Sequence, residues 1–173
     1  MDTGTVPLSR TIVGIMGSHR DDAPCLDEAA LLGEAVARRG HVLLTGGGTG
    51  VMRAASEGAA RAGGLVIGIL PDSRGNSRPG YPNEFVHIPV YTGMGYARNA
   101  INAKTPHVII ALSGSWGTLS EIALALNEGM PVISLDAPFV EPSPGAPLYN
   151  ASSVEEVLEL LDRFLPPANS ESA

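Results

Sequence analysis

The chain has 173 residues, enough for one ordinary domain with a hydrophobic core. Hydrophobic residues make up 44% of it and charged residues 17%, and a net charge of −7 without a basic patch argues against nucleic acid as a partner. The single cysteine, Cys25, cannot form an internal disulfide, which fits a reducing compartment. The lack of a signal-peptide pattern and of an apolar run of about 18–20 residues predicts a cytoplasmic protein that does not enter a membrane.

Short apolar runs alternate with helix-like segments along the chain. The apolar runs predict six β-strands, at residues 11–16, 41–44, 65–70, 85–90, 107–112 and 131–135. Apolar spacing and helix-ending residues predict helices at residues 26–39, 51–62, 93–104, 118–128 and 154–164. Pro89 lies inside the fourth strand and favours an edge position or a bulge.

The connecting segments divide into short turns and two longer stretches. Residues 71–83 are rich in Gly, Pro, Ser and Asn, and a loop of this length is typical of a lid or a partner contact. A proline-rich connection follows at residues 137–147. The polar residues 166–173 are expected to form a disordered tail, which leaves residues 1–165 as a single domain.

The alternation of strands with helices predicts an α/β fold. Because the strands are continuous apolar runs, the sheet should be mostly parallel, with helices on both faces. Ligands of such sheets bind outside the carboxyl ends of the strands. Gly/Ser-rich segments follow the first, second and fifth predicted strands, so we expect them to meet at one edge.

Common cofactor and metal sites do not fit the sequence. The turn after the first strand lacks the G-x-G-x-x-G pattern and the second strand ends at Thr45 rather than at an acidic residue, which argues against an NAD enzyme. No Gly-Lys pair exists, so a P-loop is excluded. The only lysine, Lys104, lies near the end of a predicted helix, which argues against pyridoxal phosphate. The four histidines show no metal-ligand spacing.

Residues 107–121 carry the strongest functional signal. A strand leads into a Gly/Ser loop, and the loop opens a helix, whose first backbone N–H groups and positive dipole end attract anions. The pattern predicts a cradle for a phosphate or a similar anion, with Glu121 at its rim. The candidate ligand-binding residues of this stretch are Gly114, Ser115, Trp116, Gly117 and Thr118.

Two further segments complete the predicted phosphate site. A glycine triplet follows the second strand and permits close backbone approach to a ligand. Arg98 offers a rigid donor fork for a phosphate, and Asn99 offers polar contacts to a ligand edge. The candidate binding residues outside the 107–121 segment are Gly17, Ser18, Gly46, Gly47, Gly48, Gly50, Arg98 and Asn99.

Two residues of the cradle have alternative interpretations. Thr118 and Glu121 fit a capping box, in which the two side chains satisfy backbone N–H groups at a helix start, but the carboxylate can also face a ligand. Trp116 can stack on a planar ligand or plug its loop against a neighbouring segment.

Together these motifs resemble the Lonely Guy-type proteins, also known as lysine-decarboxylase-like proteins. Their signature is P-G-G-x-G-T-x-x-E, with an upstream arginine and a glycine-triplet loop. The chain is most similar to the molybdenum cofactor carrier-like branch, whose T-G-x-G-x-A-R-[ND]-x-I-N run is matched by residues 92–102. The resemblance covers about residues 12–135.

The resemblance implies a single Rossmann-like domain that assembles as a homodimer or homotetramer and binds a small phosphorylated ligand. Carrier-like members hold the phosphate-bearing pterin of the molybdenum cofactor, which would be the bound ligand here. Lonely Guy enzymes instead cleave nucleoside 5′-monophosphates to the free base and ribose 5-phosphate. In an enzyme of that type Arg98 and Glu121 would be catalytic, with no cofactor required and no metal.

The chain departs from the enzyme pattern at several positions. Ser113 stands for the motif proline, Ser115 for its second glycine, and Asn99 for the lysine that follows the arginine. These changes affect hydrolysis more than anion binding. We therefore favour a molybdenum cofactor carrier-like binding protein, with a nucleoside-monophosphate N-glycosidase as the alternative.

Overall fold

The computed structural model describes residues 10–165, which form one seven-stranded sheet with helices on both faces. The strands are β1 (Ile12–Met16), β2 (Val42–Thr45), β3 (Val66–Leu70), β4 (Ile88–Tyr91), β5 (Val108–Ala111), β6 (Val132–Leu135) and β7 (Leu148–Ala151). The helices are α1 (Leu26–Arg38), α2 (Val51–Arg61), α3 (Asn99–Lys104), α4 (Trp116–Asn127) and α5 (Val154–Phe164), and a 3-10 turn (Gly95–Arg98) precedes α3. The tail predicted at residues 166–173 lies outside the described residues.

The sheet has the strand order β4-β3-β2-β1-β5-β6-β7, and each neighbouring pair is parallel. The chain builds outward from β1 to β4 and then returns to place β5 on the other side of β1. The direction of winding therefore reverses between β1 and β5, and the loops after these two strands diverge and leave a crevice at the carboxyl edge. The predicted α/β fold, with its parallel sheet, is confirmed.

The core lies on both sides of the sheet, as continuous apolar strands require. One layer packs α1, α2 and α5 against side chains such as Ile15, Leu43 and Ile110. The other layer packs α3 and α4 against Met16, Leu44 and neighbouring side chains. Strands β2 and β5 are buried throughout, whereas the edge strand β4 alternates between exposed and half-buried residues.

Four details differ from the sequence prediction. Strand β4 begins at Ile88, three residues later than expected. Strand β7 was not predicted, because its residues Leu148–Ala151 are of mixed polarity and at most half-buried. Helix α4 begins at Trp116, two residues earlier than expected. The helix predicted at residues 93–104 consists of the 3-10 turn followed by the short α3. The edge position that Pro89 favours is confirmed. No helix among residues 10–165 is long and apolar enough to cross a membrane.

Helices α1 and α2 approach so closely that glycine is required on each. A Cβ atom at Gly33 would overlap the backbone carbonyl of Ala55, and one at Gly58 would overlap the carbonyl of Ala30. The contact lets both helices cover the same face of the sheet beside β1.

We expect Gly33→Ala to destabilise the fold. Alanine gains up to about 1 kcal/mol of helix propensity, but overpacking against a rigid backbone costs about 1–3 kcal/mol. Urea denaturation measures the free energy of unfolding. Leu31→Ala is the control on the same helix, since Leu31 is 55% exposed, and its effect should stay within about 0.5 kcal/mol. Equal stability of Gly33→Ala and the wild type would contradict this helix contact.

Candidate functional site

A cleft of about 1150 Å³ opens at the carboxyl edge of the sheet, where the winding reverses. The loops after β1, β2, β3 and β5 and the 3-10 turn before α3 all contribute to its walls. Ten of the candidate residues line this cleft: Gly17, Ser18, Gly46, Arg98, Asn99, Ser115, Trp116, Gly117, Thr118 and Glu121. The cleft thus collects residues from all of the segments singled out by the sequence.

Arg98 is the charged group at the buried end of this cleft. Its side chain is 9% exposed, and its Nη1 donates a hydrogen bond to the backbone carbonyl of Ile69 at 2.9 Å. The guanidinium lies against the backbone of Gly46, where a Cβ would come within 2.8 Å of Nη2 and still closer to Nη1. A side chain at position 46 would therefore displace the arginine.

The Arg98 guanidinium has no counter-ion in the described part of the chain. None of the ion pairs within residues 10–165 includes it. Burial lowers the pKa of the guanidinium, and the charge of Glu121 opposes that shift; an arginine nevertheless remains protonated in proteins. A buried cation that forms no ion pair is costly, so an anionic ligand at this place would be stabilised.

The first turn of α4 supplies further donors to the same cleft. Ser115 is the N-cap residue and makes no side-chain cap hydrogen bond. The backbone N–H groups of Trp116, Gly117 and Thr118 lie before the first intrahelical bond, which Leu119 donates to Ser115 at 2.9 Å. Such N–H groups, together with the helix dipole, are groups that attract anions.

Helix α3 is fastened to this turn by side-chain hydrogen bonds. Asn99 Nδ2 donates to Ser120 Oγ at 2.9 Å, and the Ser120 hydroxyl donates to the Gly117 carbonyl at 2.7 Å. Gly114 packs behind the cradle, because a Cβ there would overlap the side chain of Thr118. Gly114 therefore shapes the loop without lining the cleft.

The capping-box interpretation of Glu121 is wrong. Thr118 is the third residue of α4 rather than its N-cap, so it is not positioned to cap the helix start. The Glu121 carboxyl instead accepts a hydrogen bond from Asn102 Nδ2 at 2.7 Å. Burial raises the pKa of this carboxyl, whereas the bond from Asn102 and the charge of Arg98 act in the opposite direction.

The three glycines after β2 have different roles. Gly46 lines the cleft, but the carbonyls of Gly47 and Gly48 each accept a hydrogen bond of 2.8 Å from Asn83, one from its backbone N–H and one from its Nδ2. The Tyr81 ring occupies the space where a Cβ of Gly48 would lie. These two glycines hold the loop of residues 71–83 in place.

Gly50 lies away from the cleft, at the start of α2. Its φ of 62° is one that glycine adopts without strain, and a Cβ there would come within 2.6 Å of the Arg20 carbonyl. Its N–H donates to Asp21 Oδ1 at 3.0 Å. The residue borders a smaller depression of about 560 Å³ on the outer side of α2.

The loop of residues 71–83 forms a wall of the cleft that sequence reasoning did not resolve. Arg78 and Tyr81 both line the cleft. Arg78 forms an ion pair with Asp72, whose Oδ1 lies 2.8 Å from Nη2, and its guanidinium lies 5.7 Å from the centre of the Tyr81 ring. The position of the loop in the sequence could have indicated this role, because the loop follows β3, whose carboxyl end lies at the same edge of the sheet.

Two large aromatic side chains stand at the rim of the cleft. Trp116 is 82% exposed and Tyr96 is 85% exposed, and both line the cleft. The alternative in which Trp116 plugs its loop against a neighbouring segment is therefore wrong. Neither ring stacks on an aromatic or cationic side chain within residues 10–165. No group of three or more His, Cys, Asp or Glu side chains in that range is placed to hold a metal ion.

The parallel sheet and the cleft at its winding reversal define a Rossmann-like α/β protein. The model of the SLOG cluster4 family matches residues 10–160, and the chain belongs to this family. The resemblance to the Lonely Guy-type superfamily and its carrier-like branch, drawn from the motifs, is thereby confirmed together with the structural similarities below.

Two solved structures and one curated relative are similar over most of their length. The molybdenum cofactor binding protein of the phototrophic bacterium Rippkaea orientalis shares 39% identity with a TM-score of 0.80, over 90% of this chain and 98% of that one. The molybdenum cofactor carrier protein of Chlamydomonas reinhardtii shares 35% identity with a TM-score of 0.76, over 90% and 99%. An uncharacterized protein of Archaeoglobus fulgidus is 41% identical over 128 residues, 74% of this chain and 82% of the relative.

Proposed function

We propose that this protein binds the molybdenum cofactor in the cleft and acts as its carrier. The observation that supports this most directly is the Arg98 guanidinium, which lines the cleft, is buried and forms no ion pair within residues 10–165. The similar solved structures from Rippkaea orientalis and Chlamydomonas reinhardtii are a molybdenum cofactor binding protein and a molybdenum cofactor carrier protein.

The residues of the cleft fit a phosphorylated pterin. The phosphate would accept hydrogen bonds from Arg98 and from the first N–H groups of α4, as phosphates do at helix starts. A phosphate fills only a small part of a cleft of about 1150 Å³, a size sufficient for a whole cofactor-sized ligand. The exposed rings of Trp116 and Tyr96 offer planar apolar surface for the ring system.

A carrier binds its ligand without cleaving a bond, and the surroundings of Glu121 favour a carrier over a hydrolase. A Lonely Guy-type hydrolase would need an ionised Glu121 to orient water and stabilise an oxocarbenium-like transition state. Here the carboxyl is buried and already engaged by Asn102. The presence of Arg98 and Glu121 in one cleft is the observation that keeps nucleoside-monophosphate hydrolysis as the second candidate. A homodimer or homotetramer remains the expectation from the family resemblance.

We expect Arg98→Ala to weaken cofactor binding. A charge-assisted contact contributes about 1.5–3 kcal/mol, so the affinity should fall about 10- to 150-fold. The measurement is the fluorescence of oxidised pterin released from protein purified from cofactor-replete cells. Arg53→Ala is the matched control, because Arg53 pairs with Glu84 and Glu57 outside the cleft. Equal pterin content in Arg98→Ala and the control would refute the assigned role, and a wild type that never carries pterin would refute the carrier proposal.

We expect the pterin ring to stack on Trp116. This residue is the only tryptophan of the chain, so its fluorescence should be quenched when the pterin binds. By analogy with base stacking, Trp116→Ala should cost about 1–3 kcal/mol of binding, whereas Trp116→Phe should retain most of the affinity. Phe139→Ala is the control for an exposed aromatic residue outside the cleft. Binding without any change in tryptophan emission would place the ring elsewhere.

We expect AMP to remain intact when incubated with the purified protein. Chromatography of the mixture would detect free adenine and ribose 5-phosphate. Adenine release by the wild type that is lost in Glu121→Ala would establish the hydrolase and overturn a carrier-only role. Release that persists in Glu121→Ala would instead identify a contaminating activity.

A further inference from the structure

Glu121 and Asn102 form a buried polar pair with one unsatisfied atom. The side chain of Asn102 has no exposed surface, and that of Glu121 is 6% exposed. Asn102 Nδ2 donates to Glu121 Oε1 at 2.7 Å. The other half of the same amide, Asn102 Oδ1, is the one buried side-chain acceptor within residues 10–165 without a hydrogen-bond donor. A buried acceptor without a donor is costly, so a donor is expected beside it.

The chemistry of the pair identifies that donor. An ionised carboxylate can only accept hydrogen bonds, whereas a neutral carboxylic acid carries one O–H donor. A primary amide offers one donor and one acceptor on the same side. A neutral acid facing such an amide therefore closes a ring of two hydrogen bonds, in which the acid O–H satisfies the amide oxygen. Proton uptake by Glu121 would supply a donor of the kind that Asn102 Oδ1 lacks.

Burial favours the neutral form of Glu121, and the charges near it oppose this only in part. Arg98 on the 3-10 turn makes no ion pair with the carboxyl, and the loop after β1 brings His19 to the same cleft. The 71–83 loop brings the uncharged phenol of Tyr81 and also Arg78, which is paired with Asp72. Helix α3 also carries Lys104, which pairs with Glu128 at the far end of α4. Strands β5 and β6, on which α4 packs, carry no charged residue. Burial thus opposes ionisation, and the pKa of Glu121 lies above its ordinary value.

We propose that Glu121 is a neutral carboxylic acid at pH values where exposed glutamates are ionised, with its O–H donated to Asn102 Oδ1. Arg98 is then the uncompensated charge of the buried end of the cleft, which is thereby set for one anionic group. Ionisation of Glu121 would place a negative charge in the same cleft and work against that group. Binding of the anion and protonation of Glu121 are accordingly coupled.

The decisive measurement is the titration of the Glu121 carboxyl carbon by nuclear magnetic resonance, without any ligand. Protein labelled with ¹³C at glutamate side chains is titrated, and Glu121→Gln identifies the resonance by its disappearance. We expect it to titrate at higher pH than the exposed glutamates of the same chain. Titration together with those glutamates, or at lower pH, would overturn the proposal. Should the variant fail to fold, through-bond assignment of the wild-type resonance gives the same decision.

The stability of the fold supplies a second readout with a defined sign. The folded state holds the Glu121 proton more tightly than the unfolded chain, so the wild type loses stability as the pH rises from the unfolded to the folded pKa. Gln at position 121 keeps a donor and an acceptor for Asn102 but cannot ionise. The melting temperature of Glu121→Gln should therefore exceed that of the wild type increasingly as the pH rises through this window. A pH-independent difference would contradict the proposal.

The consequence for the ligand rests on the proposed function and is tested separately. Phosphorylated pterin should be retained less well by the wild type as the pH rises through the Glu121 titration, by up to about tenfold per pH unit. The phosphate itself titrates near pH 6, but that contribution is common to Glu121→Gln, which should lack the additional loss. Equal pH profiles would overturn the coupling. Absence of pterin binding at any pH would refute the carrier proposal while leaving the resonance titration to decide the state of Glu121.

Discussion

The buried guanidinium of Arg98 is the interaction on which the organisation of the cleft depends. It lies against the backbone of Gly46 and donates to the carbonyl of Ile69, so it contacts both the loop after β2 and strand β3. Burying a charge without a counter-ion is expensive, and a fold tolerates it where a ligand supplies the missing charge. The burial of Arg98 thus lowers the stability of the protein without ligand, and an anionic ligand would offset this cost.

The topology of the sheet explains why the other donors reach the same place. The reversal between β1 and β5 opens a crevice into which the first turn of α4 points its N–H groups. Helix α3 is short, and its contacts to α4 through Asn99 and Ser120 fix the distance between arginine and helix start. The close contact of α1 with α2 at Gly33 and Gly58 makes the opposite layer compact. The relative positions of Arg98 and the start of α4 therefore depend on the whole sheet and its helices.

Sequence reasoning succeeded where one physical signal dominates and failed where several compete. Continuous apolar runs predicted six strands, and the strand–loop–helix pattern predicted the turn from β5 into α4, because burial and helix-start signals are local properties of the chain. Strand β7 lies at a sheet edge, and its residues Leu148–Ala151 are of mixed polarity and at most half-buried, which leaves no continuous apolar run to detect. Glu121 contacts Asn102, which lies 19 positions away, and Asn83 contacts Gly48, which lies more than 30 positions away. No pattern along the chain encodes contacts at such separations.

The attachment of the 71–83 loop has a consequence for how the family can diversify. Asn83 fastens the end of the loop to the carbonyls of Gly47 and Gly48, that is, to main-chain atoms that every residue type possesses. Side chains between Asp72 and Tyr81 can therefore change without loss of the hydrogen bonds that Asn83 makes. Natural variation in that stretch would change the part of the cleft wall that Arg78 lines, while Arg98 and the first turn of α4 keep their places.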